Sequence, residues 1–312
     1  MTNFHERKNS SCSICSKEKR KQNTSDTLCT RAVGDDGLPI RCVGGWGKEK
    51  INFVHRYIDI TGSGMKNKWN KLSYVEICSG PGSCIDKDKG VEFDGSPLSI
   101  LQASGAKYIK SFVFIDNNEK VQNTLRERIN KHKGIAQNTK DSVQIVHGDY
   151  NKADFLFDAI TQHINTGLVV IFIDPTDMSV PFQTIIKLME IGKADFIINL
   201  PIYMDFTRNS KKPLIFANSK ARTKYGKVID DDTFFDDPKY IKFAKNDDNQ
   251  GIRQLYRERL VSKFNDHGYT NISEKKIDRF YHLLYASRSD KGLDFWNKAC
   301  LRDSYGQGEF DF

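Results

Sequence analysis

Along residues 46–204, short apolar runs typical of strands alternate with segments whose apolar residues recur at helical spacing. Short apolar runs of strand length predict five strands, at residues 74–77, 111–115, 143–147, 168–173 and 196–200. Apolar residues at helical spacing predict helices at residues 48–62, 96–101, 120–132, 153–164 and 182–191. Ser96 and Pro97 are typical of a helix start, as N-cap and first residue, and Gly62 of a helix end. Strands that alternate with helices of this length predict an α/β fold with a doubly wound, mostly parallel sheet.

The pattern changes on both sides of this region. Residues 1–45 are polar and cysteine-rich, and residues 205–250 carry many charges and little apolar core, which is typical of an insertion or a mobile lid. Residues 251–312 resume the fold with a helix at 253–265, strands at 271–277 and 280–287, and a last helix at 293–299. These two strands predict an antiparallel hairpin that closes the sheet at its edge.

A glycine turn follows the first predicted strand. Glu76 lies inside that strand, and Gly80 and Gly82 come directly after it, in the pattern E-x-x-x-G-x-G. Glycines at this position let the backbone approach a nucleoside-bearing ligand closely, and the pattern is typical of S-adenosylmethionine (SAM) methyltransferases with a Rossmann-like fold. It lacks the third glycine of the dinucleotide fingerprint. The alternative is a tight turn without a ligand. The candidate cofactor-binding residues here are Glu76, Ser79, Gly80, Pro81 and Gly82, and residues 85–94 are expected to loop out over the cleft.

Acidic residues also end the next two strands. Asp116, followed by Asn117, ends the second strand, where a carboxylate can accept hydrogen bonds from both ribose hydroxyls. Asp149, followed by Tyr150, ends the third strand, where an oxygen can accept from the adenine amine. The alternatives are a helix N-cap for Asp116 and a simple turn for Asp149.

The fourth and fifth strands supply the candidate catalytic residues, which are Asp174, Asp177, Asn199 and Tyr203. Asp174 and Pro175 match the start of the Asp/Asn-Pro-Pro-aromatic set of amino-methyltransferases, in which the aromatic ring stacks on the base. Thr176 and Asp177 stand where the second proline and the aromatic residue are expected, which argues against adenine or cytosine amino methylation. The two carboxylates could instead hold a metal ion or act as a general base, and Tyr203 could be a core residue.

Four cysteines near the amino terminus form a candidate zinc site. Cys12 and Cys15 make a C-x2-C pair, and Cys29 and Cys42 follow at wider spacing. His5 is a substitute ligand, and an iron–sulfur cluster is the alternative. The remaining cysteines, Cys78, Cys84 and Cys300, are expected to be small core or loop residues, with a catalytic thiol at Cys84 as the less favoured reading.

The net charge of the chain and its lack of long apolar runs indicate which partners and which location are favoured. The chain has 312 residues, a net charge of +8 and a pI near 9.0, which favours nucleic acid among possible partners. No apolar run approaches the ~20 residues that span a membrane, and no apolar segment follows the charged start. The sequence therefore predicts a cytoplasmic protein without a membrane segment.

The motifs together resemble the three-Cys-motif partner protein family of bacteria. The resemblance rests on short blocks spread from residue 37 to the end of the chain, which are residues 75–82, 94–97, 114–116, 148–150, 172–175 and 281–287, together with a Gly-Gly-Trp segment at 44–46. It implies a SAM-methyltransferase-like protein that works beside a radical-SAM-like three-cysteine partner, in a mobile or defence-linked operon. It does not imply an established reaction.

Three functions are compatible with these residues. The leading hypothesis is a SAM-dependent methyltransferase acting on nucleic acid, with the glycine turn around the methionine end, Asp116 at the ribose, Asp149 at the adenine and Asp174 facing the substrate. The first alternative is a non-catalytic module that binds a nucleoside or a partner protein. The second is a metal-dependent nuclease that uses Asp174 and Asp177, with Asp149 as the third carboxylate.

Overall fold

The computed structural model describes residues 33–68, 71–86, 89–164, 167–216, 219–277 and 281–301. Its strands are β1 (Arg41–Val43), β2 (Leu72–Ile77), β3 (Ser83–Asp86), β4 (Glu92–Asp94), β5 (Ser111–Asp116), β6 (Val143–His147), β7 (Leu168–Ile173), β8 (Ala194–Leu200), β9 (Asn271–Ile277) and β10 (Tyr281–Ser287). Seven of these strands form one sheet, and β1, β3 and β4 form a smaller one.

The α-helices lie between the strands. They are α1 (Trp46–Met65), α2 (Ser96–Leu101), α3 (Glu119–Lys131), α4 (Gln137–Lys140), α5 (Ala153–Thr161), α6 (Phe182–Met189), α7 (Thr207–Asn209), α8 (Lys212–Ile215), α9 (Lys220–Ile229), α10 (Pro238–Lys245), α11 (Asn249–Asp266) and α12 (Asp290–Cys300). A π-helical turn at Ile202–Phe206 follows β8. Within the described ranges, every helix is too short or too polar to cross a membrane.

The large sheet confirms the predicted fold class. Its strand order is β6-β5-β2-β7-β8-β10-β9, and the first five strands run parallel. β10 runs antiparallel to both β8 and β9, as the predicted closing hairpin requires. The order reverses direction at β2, so the carboxyl ends of β2, β5 and β7 meet at the point where ligands bind in doubly wound sheets. The chain therefore has a Rossmann-like, methyltransferase-like fold.

Alternating side chains of each strand bury against two helical layers. Val75 and Ile77 belong to the apolar cluster on the face covered by α5, α6 and α9 to α11. Tyr74 belongs to the cluster on the opposite face, which α1, α2, α3 and α12 cover. Because successive strand residues point to opposite faces, Glu76 lies on the same face as Tyr74. All six residues of β2 are buried, as are all six of β7, which explains their apolar character.

Residues 85–94 do not form the expected loop over the cleft. β3 and β4 pair antiparallel, and β3 also pairs parallel with β1, giving a three-stranded sheet. Gly95 then donates a backbone hydrogen bond of 2.8 Å to the carbonyl of Gly82. This small sheet positions β1 and the start of α1 beside the glycine turn.

Two predicted helix ends were wrong for reasons of packing. α1 continues through Gly62 to Met65, because Gly62 is a close-contact residue: a Cβ atom there would lie 2.3 Å from the carbonyl oxygen of Gly105. Ser96 is the first residue of α2 rather than its N-cap, which is Gly95. Its hydroxyl donates to Glu76 instead of capping the helix.

Residues 205–250 contain more core than their charges suggest. They form α7 to α10 and the start of α11, and their buried aromatic side chains join the cluster beneath α6. These side chains are Phe206, Tyr225, Phe234, Phe235 and Tyr240. This core could not be predicted from the sequence, because the aromatic residues are spread over several short helices. No single helix is long enough for its hydrophobic periodicity to be recognised.

Candidate functional site

A cavity of about 270 Å³ lies at the carboxyl ends of β2 and β7. Its walls are the glycine turn after β2, β1, the first turns of α1, and the residues that follow β7 and β8. Lys50 of α1 lines it, and we call it the Lys50 cavity. Trp46 and Tyr281 form an aromatic wall beside Lys50, with ring centroids 6.0 Å apart. The cavity therefore combines an aromatic wall with charged groups at the predicted ligand edge of the sheet.

The glycine turn has the backbone that its sequence requires. Gly80 and Gly82 have φ angles of +70° and +86°, in the left-handed region that glycine tolerates best. Cys78 is in the same region with φ of 66°, which is uncommon for a residue with a side chain. All three residues line the Lys50 cavity, so the turn exposes backbone to whatever occupies it.

Asp116 ends β5 and faces the glycine turn. Its Oδ2 accepts from the backbone N–H of Gly80 at 3.2 Å, and its Oδ1 accepts from that of Asn118 at 3.0 Å. Asn118, not Asp116, caps α3. Burial raises the pKa of Asp116 above its ordinary value, although these hydrogen bonds oppose the shift. A cavity of about 80 Å³, the Asp116 cavity, is lined by Asp116, Asn117, Gly148 and Tyr150.

The two cavities form one cleft. Cys78, Asp174 and Arg41 line both of them, as do Pro175 and Thr176. One guanidinium nitrogen of Arg41 lies 3.7 Å from the position of a Cβ on Gly80. In the described part of the chain, this guanidinium makes neither an ion pair nor a hydrogen bond. Arg41 therefore places a guanidinium where the cavities meet, close enough to the Asp116 carboxylate to oppose the rise in its pKa.

Lys50, Asp174 and Asn199 form a connected group at the ends of α1, β7 and β8. The Lys50 ammonium donates to Oδ1 and Oδ2 of Asp174, at 2.5 and 2.7 Å. Asn199 Nδ2 donates to Asp174 Oδ1 at 2.8 Å and to the carbonyl of Pro175 at 3.3 Å. The side chains of Lys50 and Asp174 are only 14% and 15% exposed, so bulk water screens this pair weakly.

Two buried acceptors on the cleft wall have no partner among the described residues. They are Ser79 Oγ and Asn199 Oδ1. Asn199 Nδ2 already faces two acceptors, which fixes the orientation of the amide and leaves its oxygen without a donor. Because a buried polar atom without a partner is costly, these two atoms mark places where a ligand donor would be stabilised.

Glu76 lies behind the cleft wall rather than on it. It is fully buried, its Oε2 accepts from the hydroxyl of Tyr74 at 2.9 Å, and its Oε1 accepts from Ser96. Burial, helped by the nearby carboxylate of Asp174, raises the pKa of Glu76 to about 8, although the hydrogen bonds from Ser96 and Tyr74 oppose the shift. Ser96 lines the Lys50 cavity and Glu76 does not, so Glu76 is connected to the cleft by its hydrogen bond with Ser96.

Asp177 and Asp149 line neither cavity. Asp177 accepts from Lys224 at 2.8 Å, and the same ammonium donates to Asp205. Asp149 accepts from the backbone and side chain of Asn151, both at 2.9 Å, in a local turn. Within the described ranges, no group of three or more His, Cys, Asp or Glu side chains could hold a metal ion, so the nuclease alternative gains no carboxylate cluster.

Tyr203 lines a different cavity, of about 550 Å³, between the π-helical turn, α11 and β9. The Arg253 guanidinium lies 4.5 Å from the centroid of its ring, and the Lys276 ammonium 5.9 Å. Its neighbour Met204 lines the Lys50 cavity, so the two cavities are adjacent. We call this second space the Tyr203 cavity.

The predicted zinc site falls mostly on residues that are not described. Cys12, Cys15, Cys29 and the substitute His5 lie outside the described residues, and Cys42 lies in β1 on the wall of the Lys50 cavity. Burial raises the pKa of the Cys84 thiol to about 11 and that of Cys78 further, which does not favour a thiolate at either site.

Similarity to known proteins is remote. The sequence matches no protein-family model and no curated protein. Among solved structures, protein LPL1258 from Legionella pneumophila is 10% identical with a TM-score of 0.42, over 80% of this chain and 89% of that one. The methyltransferase domain of bacterial CtHen1-C is 9% identical with a TM-score of 0.38, over 75% and 98%. An S-adenosylhomocysteine-bound Podospora anserina methyltransferase is 14% identical with a TM-score of 0.37, over 75% and 76%. Similarities this low say nothing about activity, so the resemblance to the three-Cys-motif partner family stays a prediction.

Proposed function

We propose that this protein is a SAM-dependent methyltransferase that acts on nucleic acid. The observation that carries the proposal is the joint cleft at the carboxyl ends of the parallel strands. It contains a buried carboxylate, a guanidinium that donates no hydrogen bond to a described residue, and two acceptors without partners among the described residues. Each of these matches a different polar group of SAM.

Asp116 would hold the ribose. An ionised carboxylate accepts hydrogen bonds from two hydroxyls, and Asp116 keeps lone pairs for them beyond its two backbone contacts. Asn117 and Tyr150 would flank the adenine end, because both line the Asp116 cavity. Asp149 remains the predicted acceptor for the adenine amine.

The methionine end fits the other half of the cleft. The Arg41 guanidinium suits its carboxylate, because the two groups can form paired charge-assisted hydrogen bonds. Ser79 Oγ and Asn199 Oδ1 would accept from its ammonium, which removes the penalty of two buried acceptors without donors. When bound, SAM supplies an electrophilic methyl group, and the protein contributes orientation of donor and acceptor.

Replacing Asp116 with alanine is expected to weaken SAM binding about 30- to 100-fold, because two charge-assisted hydrogen bonds to the ribose are lost. Isothermal titration calorimetry of the purified protein measures this directly. Asp158→Ala is a matched control, since Asp158 is exposed on α5 and lines neither part of the cleft. Unchanged affinity in Asp116→Ala, or no SAM binding by the wild-type protein, would contradict the proposal.

Positive charge beside the cleft supports a nucleic-acid acceptor. Arg253 and Lys276 line the Tyr203 cavity around an aromatic ring, next to the Lys50 cavity. Cations that follow a phosphate backbone beside an aromatic platform are typical of single-strand binding. The net charge of +8 points the same way.

The double variant Arg253→Gln/Lys276→Gln is expected to bind a single-stranded oligonucleotide several-fold more weakly. If each cation neutralises one phosphate, the slope of log affinity against log salt should fall by about 1.4. Fluorescence anisotropy over a salt series measures both effects. The control is Lys291→Gln/Lys298→Gln on α12, whose side chains are 56% and 54% exposed. An unchanged salt slope in the first variant would show that the Tyr203 cavity does not contact the nucleic acid.

The radical-SAM-like partner and the zinc site implied at the sequence level remain predictions. They concern a partner chain and, apart from Cys42, residues beyond the described ranges.

A further inference from the structure

We infer that the acceptor is the ribose 2′-hydroxyl of RNA, and that Lys50 and Asp174 act on it directly. The inference rests on the proposed function, because the methyl group must come from SAM in the same cleft. It depends on how the hydrogen-bonding capacity of Asp174 is already used.

The groups that would receive an amine are partly occupied. An exocyclic amine needs acceptors for its N–H groups, and the candidates at this strand end are Asp174 and the carbonyl of Pro175. Asn199 Nδ2 donates to both of them, at 2.8 and 3.3 Å. Thr176 also removes the aromatic ring that would stack on the base. Asp174 and Pro175 each keep one lone pair, so the acceptors alone do not exclude an amine. The missing ring and the Lys50 ammonium argue against one, because an amine nitrogen gains positive charge as it takes the methyl group.

One acceptor position is left on Asp174. Each carboxylate oxygen has about two lone-pair sites. Oδ1 accepts from Lys50 and Asn199, whereas Oδ2 accepts only from Lys50, at 2.7 Å. A single remaining site matches the single proton of a hydroxyl group.

Lys50 supplies the complementary charge. An ammonium has three N–H donors, and Asp174 takes two of them at most. The remaining N–H can donate to the acceptor oxygen, where negative charge develops as the O–H bond weakens. This stabilisation is effective because Lys50 and Asp174 are both largely buried.

The step balances without another reactant. The hydroxyl proton moves to Asp174 Oδ2, and an oxygen lone pair forms the bond to the methyl carbon. The carbon–sulfur bond breaks with its electron pair going to sulfur, which neutralises the sulfonium. The products are the methyl ether and S-adenosylhomocysteine, and the proton later leaves Asp174 for solvent.

RNA satisfies all the groups in the cleft. It is a polyanion, which Arg253 and Lys276 at the Tyr203 cavity favour, and it carries a hydroxyl on every nucleotide, which DNA lacks within the chain. Trp46 and Tyr281 provide rings on which a base of the acceptor nucleotide can stack.

The test compares two oligonucleotides of about 16 nucleotides, one ribo and one 2′-deoxy, with the same uracil-containing sequence. Each is incubated with methyl-labelled SAM and wild-type protein, Lys50→Met or Asp174→Asn, then digested to nucleosides for mass spectrometry. We expect 2′-O-methylnucleosides from the ribo strand only, and a rate about 100-fold lower in both variants. Lys48→Met is the control, because Lys48 is exposed on the same helix and does not line the cleft.

A second readout does not depend on turnover. Anisotropy titrations with S-adenosylhomocysteine present should show that wild-type protein prefers the ribo over the 2′-deoxy strand about fivefold, and that Lys50→Met loses this preference. SAM affinity measured by calorimetry should stay within about threefold in Lys50→Met, which also establishes that the variant is folded.

The outcomes separate the two proposals. A wild-type protein that does not bind SAM contradicts the proposed function. SAM binding with methylation on a base nitrogen, with equal transfer to both strands, or with no transfer to the ribo strand overturns the hydroxyl inference alone. An unchanged rate in both variants also overturns it.

Discussion

Replacing Asp195 with alanine is expected to lower the free energy of unfolding by about 2–4 kcal/mol. Asp195 is 3% exposed and accepts from the hydroxyls of Tyr57 and Ser287, at 2.7 and 2.6 Å. Alanine leaves both hydroxyls without this acceptor in a buried site, although Tyr57 keeps its 2.9 Å contact with Tyr285. Urea unfolding followed by circular dichroism measures the loss.

The Asp195 effect extends to the cleft through α1. Tyr57 lies on α1, two turns after Lys50, so its hydrogen bond to Asp195 holds the helix that presents the ammonium to Asp174. Asp195→Asn keeps one acceptor oxygen and nearly the same shape, and we expect it to cost clearly less than alanine. Asp266→Ala, at an exposed position on α11, should change stability by less than about 0.5 kcal/mol. An alanine variant as stable as the wild type would contradict this role for Asp195.

The inner parallel strands β2, β5, β7 and β8 could be predicted because they are buried on both faces. β6 and β7 have the bounds that the apolar runs predict, and β2, β5 and β8 differ only at their ends. Parallel strands covered by helices must be apolar along most of their length, so the signal in the sequence is strong. The strand ends then locate the ligand edge, which is how Asp116 and Asp174 could be found as candidates.

Residues that reach the site from outside the sheet could not be found in this way. Arg41 and Lys50 precede the first parallel strand and reach the cleft only because β1 pairs with β3. That pairing joins residues 41–43 to residues 84–86, and no local pattern encodes it. Asn199 was recognised as a candidate, but the sequence could not show that its amide is tied to Asp174.

The position of the Glu76 side chain could not be predicted from the sequence for a different reason. The alternation along β2 puts its side chain on the face of Tyr74, which the sequence could have indicated. What covers that face is decided by α2, whose first residue, Ser96, donates to Glu76. The acidic position in the glycine-turn pattern therefore predicts a location at the cleft, but not a side chain enclosed behind its wall.

The pH dependence of stability should change when Glu76 is replaced with glutamine. Burial raises the pKa of Glu76 from 4.5 to about 8 in the folded protein. Between these values the folded state binds one proton more than the unfolded state, so the free energy of unfolding decreases as the pH rises. The slope is about 1.4 kcal/mol per pH unit, which amounts to several kcal/mol across the window.

Glutamine does not titrate, so the variant lacks this contribution. We expect the wild type to lose about 3–5 kcal/mol relative to Glu76→Gln between about pH 5 and pH 8, with the change complete once the pH exceeds the folded pKa. Urea unfolding of both proteins over this range measures the difference. Glu119→Gln, exposed in the first turn of α3, is the control and should follow the wild type. Parallel profiles for wild type and Glu76→Gln would mean that Glu76 is ionised in the folded protein, with the Lys50 ammonium outweighing burial and the Asp174 carboxylate.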